Sequence, residues 1–154
     1  MCEMSGGITL RPCTARDIDA VLDLQKAWTH EGITHGYQAA TRELLATAVG
    51  PYFVVADRGG ELVGFVCGIV SISEGTAVSA RGEPCLSIED LYVRPDLRGG
   101  GLGGRLLEQV LAAAKAEGVA KCMVYSATKD VRRVMSFYER HGFSAWFVQM
   151  VRPL

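Results

Sequence analysis

The period of apolar positions changes several times along the chain, and each change marks an element. Residues 8–13 read as a first strand. Thr14 then supplies a cap residue with Asp17 three positions on, opening a helix whose apolar side carries Ile18, Val21, Leu22 and Leu24 and which runs to about Trp28. Residues 29–37 hold two glycines and no clear period, so they form a loop before a short second helix around 41–48. Residues 51–57 and 61–73 are β-rich runs joined by Arg58, Gly59 and Gly60, which predicts a hairpin. Residues 74–84 are a polar connecting loop, and 86–93 form a fourth strand ended by Pro95.

The strongest helical signal follows. Leu102, Leu106, Leu107, Val110, Leu111 and Ala114 recur at steps of three and four, with Glu108, Gln109 and Lys115 opposite. Gly118 closes this helix, and 120–126 give a fifth strand. Asp130 caps a last helix with an apolar face of Val131, Val134, Met135 and Tyr138, stopped by Gly142, and 144–152 read as a final strand. The order β-α-α-β-β-β-α-β-α-β, without repeat or linker, predicts one α/β domain over residues 1–154.

Composition narrows the classes. Hydrophobic residues are 49% and charged residues 21% of 154, so the chain can bury one core. A net charge of −1 gives no general basic field for nucleic acid, although Arg132 and Arg133 together could meet an anion. The apolar run 62–72 is too short to cross a bilayer, and residues 1–10 lack the pattern of a secretory signal. Cys2, Cys13, Cys67, Cys85 and Cys122 are scattered, with no C-x-x-C pair and no His at ligand spacing, so they read as reduced apolar residues of a cytoplasmic protein without a metal.

The candidate chemistry lies between the fourth strand and the amphipathic helix, in Arg98, Gly99, Gly100, Gly101, Leu102, Gly103 and Gly104. Glycines that open a helix let the backbone approach a phosphate and aim free N–H groups at it. A Walker loop has this glycine spacing, but Arg105 and Leu106 replace its lysine and hydroxyl. The dinucleotide pattern G-x-G-x-x-G is met by Gly99, Gly101 and Gly104, but four strands precede the loop and two of them form a tight hairpin, which implies an antiparallel sheet. The remaining pattern, [QR]-x-x-G-x-[GA], fits residues 98–103.

With residues 86–95 (LSIEDLYVRP) ahead of the loop and 136–143 (SFYERHGF) behind it, the chain resembles the GNAT superfamily of N-acetyltransferases over nearly its whole length. The resemblance implies a mixed, mostly antiparallel sheet of six to seven strands with about four helices, strands four and five splayed, and acetyl-CoA as cosubstrate. It implies that the backbone of Arg98 to Gly104 binds the coenzyme A pyrophosphate, with the Arg98 side chain positioning the loop. Main-chain groups of Leu91, Tyr92 and Val93 would face pantetheine, and the Leu91 N–H would polarise the thioester carbonyl. Glu89 matches the proposed base of polyamine-acetylating members, and Tyr138 the tyrosine that protonates the leaving thiolate. Asp90 is the neighbour of Glu89 and, in a regular strand, points the other way unless a bulge intervenes, so only one of the two can face the cleft as the base. Where the family often has Asn, this chain has Val131; Asp130 beside it either replaces that coenzyme A contact or only caps the helix.

The acceptor expected from this resemblance is a small-molecule or peptide amine, with Glu31 and Glu89 suited to a cationic one and His30, His35 and Tyr37 in the same loop. No nucleic acid or membrane partner is expected, and the apolar stretch from Ala145 to Val148 would allow a homodimer. Two rival readings are a coenzyme A-binding module without turnover and a dinucleotide-binding protein.

Overall fold

The computed structural model describes residues 7–154; Cys2 and the segment examined for a secretory signal lie outside them or largely so. Five strands form one sheet in the order β1 (Ile8–Pro12), β2 (Phe53–Arg58), β3 (Glu61–Ile72), β4 (Pro84–Val93) and β5 (Lys121–Val124). The first four are antiparallel, and β4 and β5 are parallel. Four helices accompany them: α1 (Ile18–Glu31), α2 (Arg42–Ala48), α3 (Leu102–Ala116) and α4 (Val131–Arg140).

Alternation along the strands divides the apolar side chains between two cores. Phe53, Val55, Phe65 and Tyr92 pack with Ile18, Val21 and Leu24 of α1 and Leu45 of α2. Val54, Val66, Leu86 and Ile88 pack with Leu106, Leu107 and Val110 of α3 on the other face. At the start of α1, Asp17 accepts hydrogen bonds from the N–H and hydroxyl of Thr14, as the sequence pattern predicts, and from Arg11 at 2.8 Å. Those bonds, the Arg11 ones foremost, hold the Asp17 carboxyl down to about 2 against the opposing effect of burial.

Three expectations need correction. The sheet has five strands, not six to seven, because residues 144–152 form no strand. Trp146, Phe147 and Val148 are exposed instead; β-propensity alone does not make a strand without a ladder partner. The face of α4 is met only in part: Tyr138 packs against the α3 core as expected and Phe137 joins it, whereas Val131 and Met135 are exposed.

The thiols of Cys13, Cys67 and Cys85 are buried and that of Cys122 partly so, all unbridged. Burial pushes Cys13, Cys67 and Cys122 up to about 12, which keeps them protonated and inert.

Candidate functional site

β4 and β5 pair only over Cys85–Ile88 and Lys121–Val124. Beyond Ile88, the β5 side of Glu89–Val93 has no strand partner, so the sheet opens at its parallel edge. A continuous cavity of about 1830 Å³ occupies this opening, running from the glycine loop past the end of β5 to the surface between α1 and α2. The splay expected of strands four and five is thus present.

At one end the loop turns into α3. Gly99 and Gly101 both have φ of +83°, a conformation that L side chains resist, and Gly101 is the residue before the first helical turn. A Cβ added at Gly99, Gly100 or Gly101 would meet nothing within 4 Å, so this backbone borders open space at a helix N-terminus. Gly103 instead lies against Phe137 and Val93, and the space beside Gly104 is filled by the His141 ring. Arg105, Lys129 and Arg133 line this end and form no ion pair among the described residues. Open glycine amides, a helix N-terminus and free cations fit a diphosphate-bearing group.

Arg98 is committed to the protein. Its Nε donates to the Val93 carbonyl at 2.8 Å, and its two terminal nitrogens donate to the Glu31 carboxylate at 2.8 and 2.9 Å. The Tyr92 hydroxyl also donates to Glu31, and the guanidinium lies over the Tyr92 ring. Burial pushes the Glu31 carboxyl up, but the bonds from Arg98 and Tyr92 outweigh it and leave it below its ordinary value. Arg98 therefore ties the loop to β4 and the end of α1. Glu31, which the sequence suggests for a cationic acceptor, is a brace for Arg98. The Tyr92 ring is buried in the α1 core and its main chain lies opposite Phe65 in the β3 ladder, whereas the main-chain groups of Leu91 and Val93 face the opening.

The other end is built around Asp90. The β3–β4 register passes from Cys67↔Asp90 to Gly68↔Ile88, so Glu89 is an extra residue in a bulge. That bulge changes the parity of β4: Ile88, Leu91 and Val93 join the α3 core, whereas Asp90 and Tyr92 face α1. Glu89 and Asp90 consequently line one cavity instead of opposite faces. Glu89 is exposed there. Asp90 Oδ2 accepts from Gln25 Nε2 at 2.9 Å and from the Tyr37 hydroxyl at 3.2 Å. Burial pushes the Asp90 carboxyl up to about 6; those two bonds oppose the shift and neighbouring Glu89 adds to it. Burial and Asp90 together raise the Tyr37 phenol.

Trp28 stacks on Tyr37 with centroids 4.0 Å apart and on Tyr92 at 5.4 Å. Gln25 is 1% exposed and its Oε1 accepts from the Ala40 N–H, which ties the loop after α1 to the helix. Sequence reading missed Gln25. Its signal was a polar residue on the apolar side of α1, between Val21 and Trp28.

Tyr138 lines the cavity and packs on Phe137 and Phe143; burial raises its phenol to about 12. Asp130 Oδ1 accepts from the Arg133 N–H at 3.2 Å and so caps α4, while also bordering the cavity. His35 borders the cavity and His30 does not.

Comparison with known proteins places this architecture. The family model described as Acetyltransferase (GNAT) family matches residues 18–143. The chain is 33% identical over 93 residues to an IAA acetyltransferase of Azospirillum brasilense, covering 60% of this chain and 54% of that protein. It is 38% identical over 92 residues to a mycothiol acetyltransferase of Streptomyces avermitilis, covering 60% and 27%. The matched regions thus span about half or less of these relatives. A GCN5-related N-acetyltransferase from Ralstonia eutropha JMP134 superposes with a TM-score of 0.74 at 23% identity, covering 96% of this chain and 99% of that one, a likeness of fold.

Proposed function

Because the chain belongs to the acetyltransferase (GNAT) family, we propose that it is an N-acetyltransferase that moves an acetyl group from acetyl-coenzyme A to a primary amine. The observation that carries this reading is the opened β4–β5 edge, which joins the glycine loop to the paired carboxylates in one cavity. Acetyl-coenzyme A supplies the activated acetyl group as a thioester. The backbone of Arg98 to Gly104 holds the pyrophosphate at the start of α3, with Arg105 and Arg133 as cations beside it. Main-chain groups of Leu91 and Val93, on either side of Tyr92, align the pantetheine arm; at Val93 the N–H serves, since its carbonyl already accepts from Arg98. The Leu91 N–H donates to the thioester oxygen as negative charge develops there.

An alkylammonium loses its proton near pH 10.4 in water, so attack near neutral pH needs a base. Glu89 takes that proton. The amine nitrogen then forms the new N–C bond, the C–S bond breaks with its electron pair staying on sulfur, Tyr138, protonated throughout the neutral range, gives its proton to the thiolate, and the second proton that nitrogen loses on becoming an amide replaces it through solvent. Asp130 caps α4 at the cofactor end, and its carboxylate borders the bound coenzyme. The acceptor is a small cationic amine or a peptide amine. The protein works in the cytoplasm as one domain, and its exposed apolar end supports a homodimer.

The test is thiol release from acetyl-coenzyme A across a panel of amines. Amine-dependent release is expected, and Glu89→Gln should lower turnover at least about 100-fold while leaving coenzyme A affinity unchanged. Coenzyme A binding with no release for any amine would assign the chain to a binding module instead. Retention of NAD(P) with no response to coenzyme A would exclude both.

A further inference from the structure

The carboxylate of Asp90 is held from one side only. Gln25 and Tyr37 both donate to Oδ2, and Oδ1 has no hydrogen-bond partner among the described residues. No buried side-chain oxygen or nitrogen there lacks a partner, so Oδ1 is open to the cavity. A carboxylate fixed at one oxygen and open at the other presents a single, oriented acceptor for a charged donor.

Apolar side chains from three elements line the cavity into which that oxygen opens. Ile33, Leu44 and Ile69 come from a loop, a helix and a strand, are 39%, 61% and 54% exposed, and all line the cavity that contains Asp90. Trp28 and Tyr37 add a stacked aromatic wall beside them. None of the three belongs to either hydrophobic core, so their apolar surface is available to a bound molecule. Anionic groups are scarce: Glu31 is neutralised by Arg98, which leaves the adjacent Glu89 and Asp90 as the carboxylates at this end. A polyamine or an aminoglycoside carries several cations spaced along its length and needs carboxylates spaced to match. The Asp90 end of this cavity offers one acidic point, the adjacent Glu89 and Asp90, with apolar side chains beside it.

Resting on the acetyl-transfer reading, we propose that Asp90 Oδ1 docks the ammonium of a monoamine whose carbon skeleton is apolar or aromatic, the skeleton lying against Trp28, Tyr37, Leu44 and Ile69. Asp90 is then an acceptor-binding residue, and Glu89 beside it takes the proton. Besides Glu89 on its own strand, the titratable groups facing Asp90 are Tyr37 in the loop and Cys67 on β3, both protonated at neutral pH, so neither adds charge beside the carboxylate.

Thiol release is measured with 2-phenylethylamine, n-hexylamine, spermidine and kanamycin at equal concentration. The expected result is kcat/KM at least about 10-fold higher for the first two than for the last two. Preference for spermidine or kanamycin overturns this inference and leaves acetyl transfer standing; absence of release with every amine, while coenzyme A binds, overturns both. Asp90→Asn should raise KM for 2-phenylethylamine by about 10-fold or more with coenzyme A affinity unchanged, and an unchanged KM refutes the docking role. Leu44→Glu, at an exposed position that folding does not depend on, should shift the ratio of spermidine to 2-phenylethylamine turnover by about 10-fold toward spermidine. An unshifted ratio removes Leu44 from the acceptor wall and refutes the placement of the skeleton.

Discussion

At the scale of single residues, the burial of Asp90 weighs against the fold, a cost that the proposed docking role would offset. Its carboxyl is raised to about 6 chiefly by burial, so the native state binds the proton more tightly than the unfolded chain does. The sign follows: stability falls as pH rises from about 4 to about 6, and the ionised carboxylate at neutral pH weighs against folding. Asp90→Asn, whose amide oxygen can still accept from Gln25 and Tyr37, should therefore raise stability at pH 7.5 by about 2 kcal/mol, or roughly 5 °C in Tm. The gain should shrink steadily toward pH 4, as thermal unfolding across that range would reveal, while acetyl transfer falls. A wild-type Tm at pH 7.5 would mean that the carboxylate is better solvated than its burial implies. None of this was legible in sequence. Gln25, Tyr37 and Asp90 meet across separations of 53 and 65 positions, and the pairing of Glu31 with Arg98 spans 67.

At the scale of elements, two glycines show opposite uses of an absent side chain. Beside Gly64, where β3 passes under α3, a Cβ would lie 2.9 Å from the Tyr92 carbonyl oxygen and 3.3 Å from Leu106, so the protein itself fills that space. Beside Gly101 the space is open, but the backbone is left-handed and borders the proposed phosphate site. Gly64→Ala should destabilise by about 1–3 kcal/mol in urea unfolding through overpacking. Gly101→Val should reduce coenzyme A affinity on the order of 100-fold in calorimetric titration, because a branched side chain resists the turn and blocks approach to its amides. Undiminished affinity would remove the loop from the cofactor site. Elements with a strong local signal were legible: the amphipathic period of α3, the Thr14–Asp17 pair that opens the turn leading into α1, the hairpin at Gly59 and Gly60. The bulge at Glu89 was not, since it exists only in the register of β4 against β3, and it decides which carboxylates share the cavity. The last strand failed for the same reason, pairing being a property of two segments.

At the scale of the whole molecule, the sheet ends at β5 with no further strand beyond it among the described residues, and the segment that follows Phe143 leaves its aromatic residues in solvent. An unpaired edge and an exposed apolar segment both favour association. Sedimentation equilibrium should show a concentration-dependent dimer, and a chain truncated after Phe143 should sediment as a monomer; a full-length chain that stays monomeric at high concentration would refute the homodimer. The same arrangement sets the chain's two tryptophans in opposite surroundings: Trp28 stacked in the cavity wall, with its indole N–H on Thr34, and Trp146 half in water. Fluorescence inherits that division. Trp146→Phe leaves one emitter, seated in the proposed acceptor wall, so the unlabelled protein carries its own optical gauge of occupancy there, readable before any bond is made.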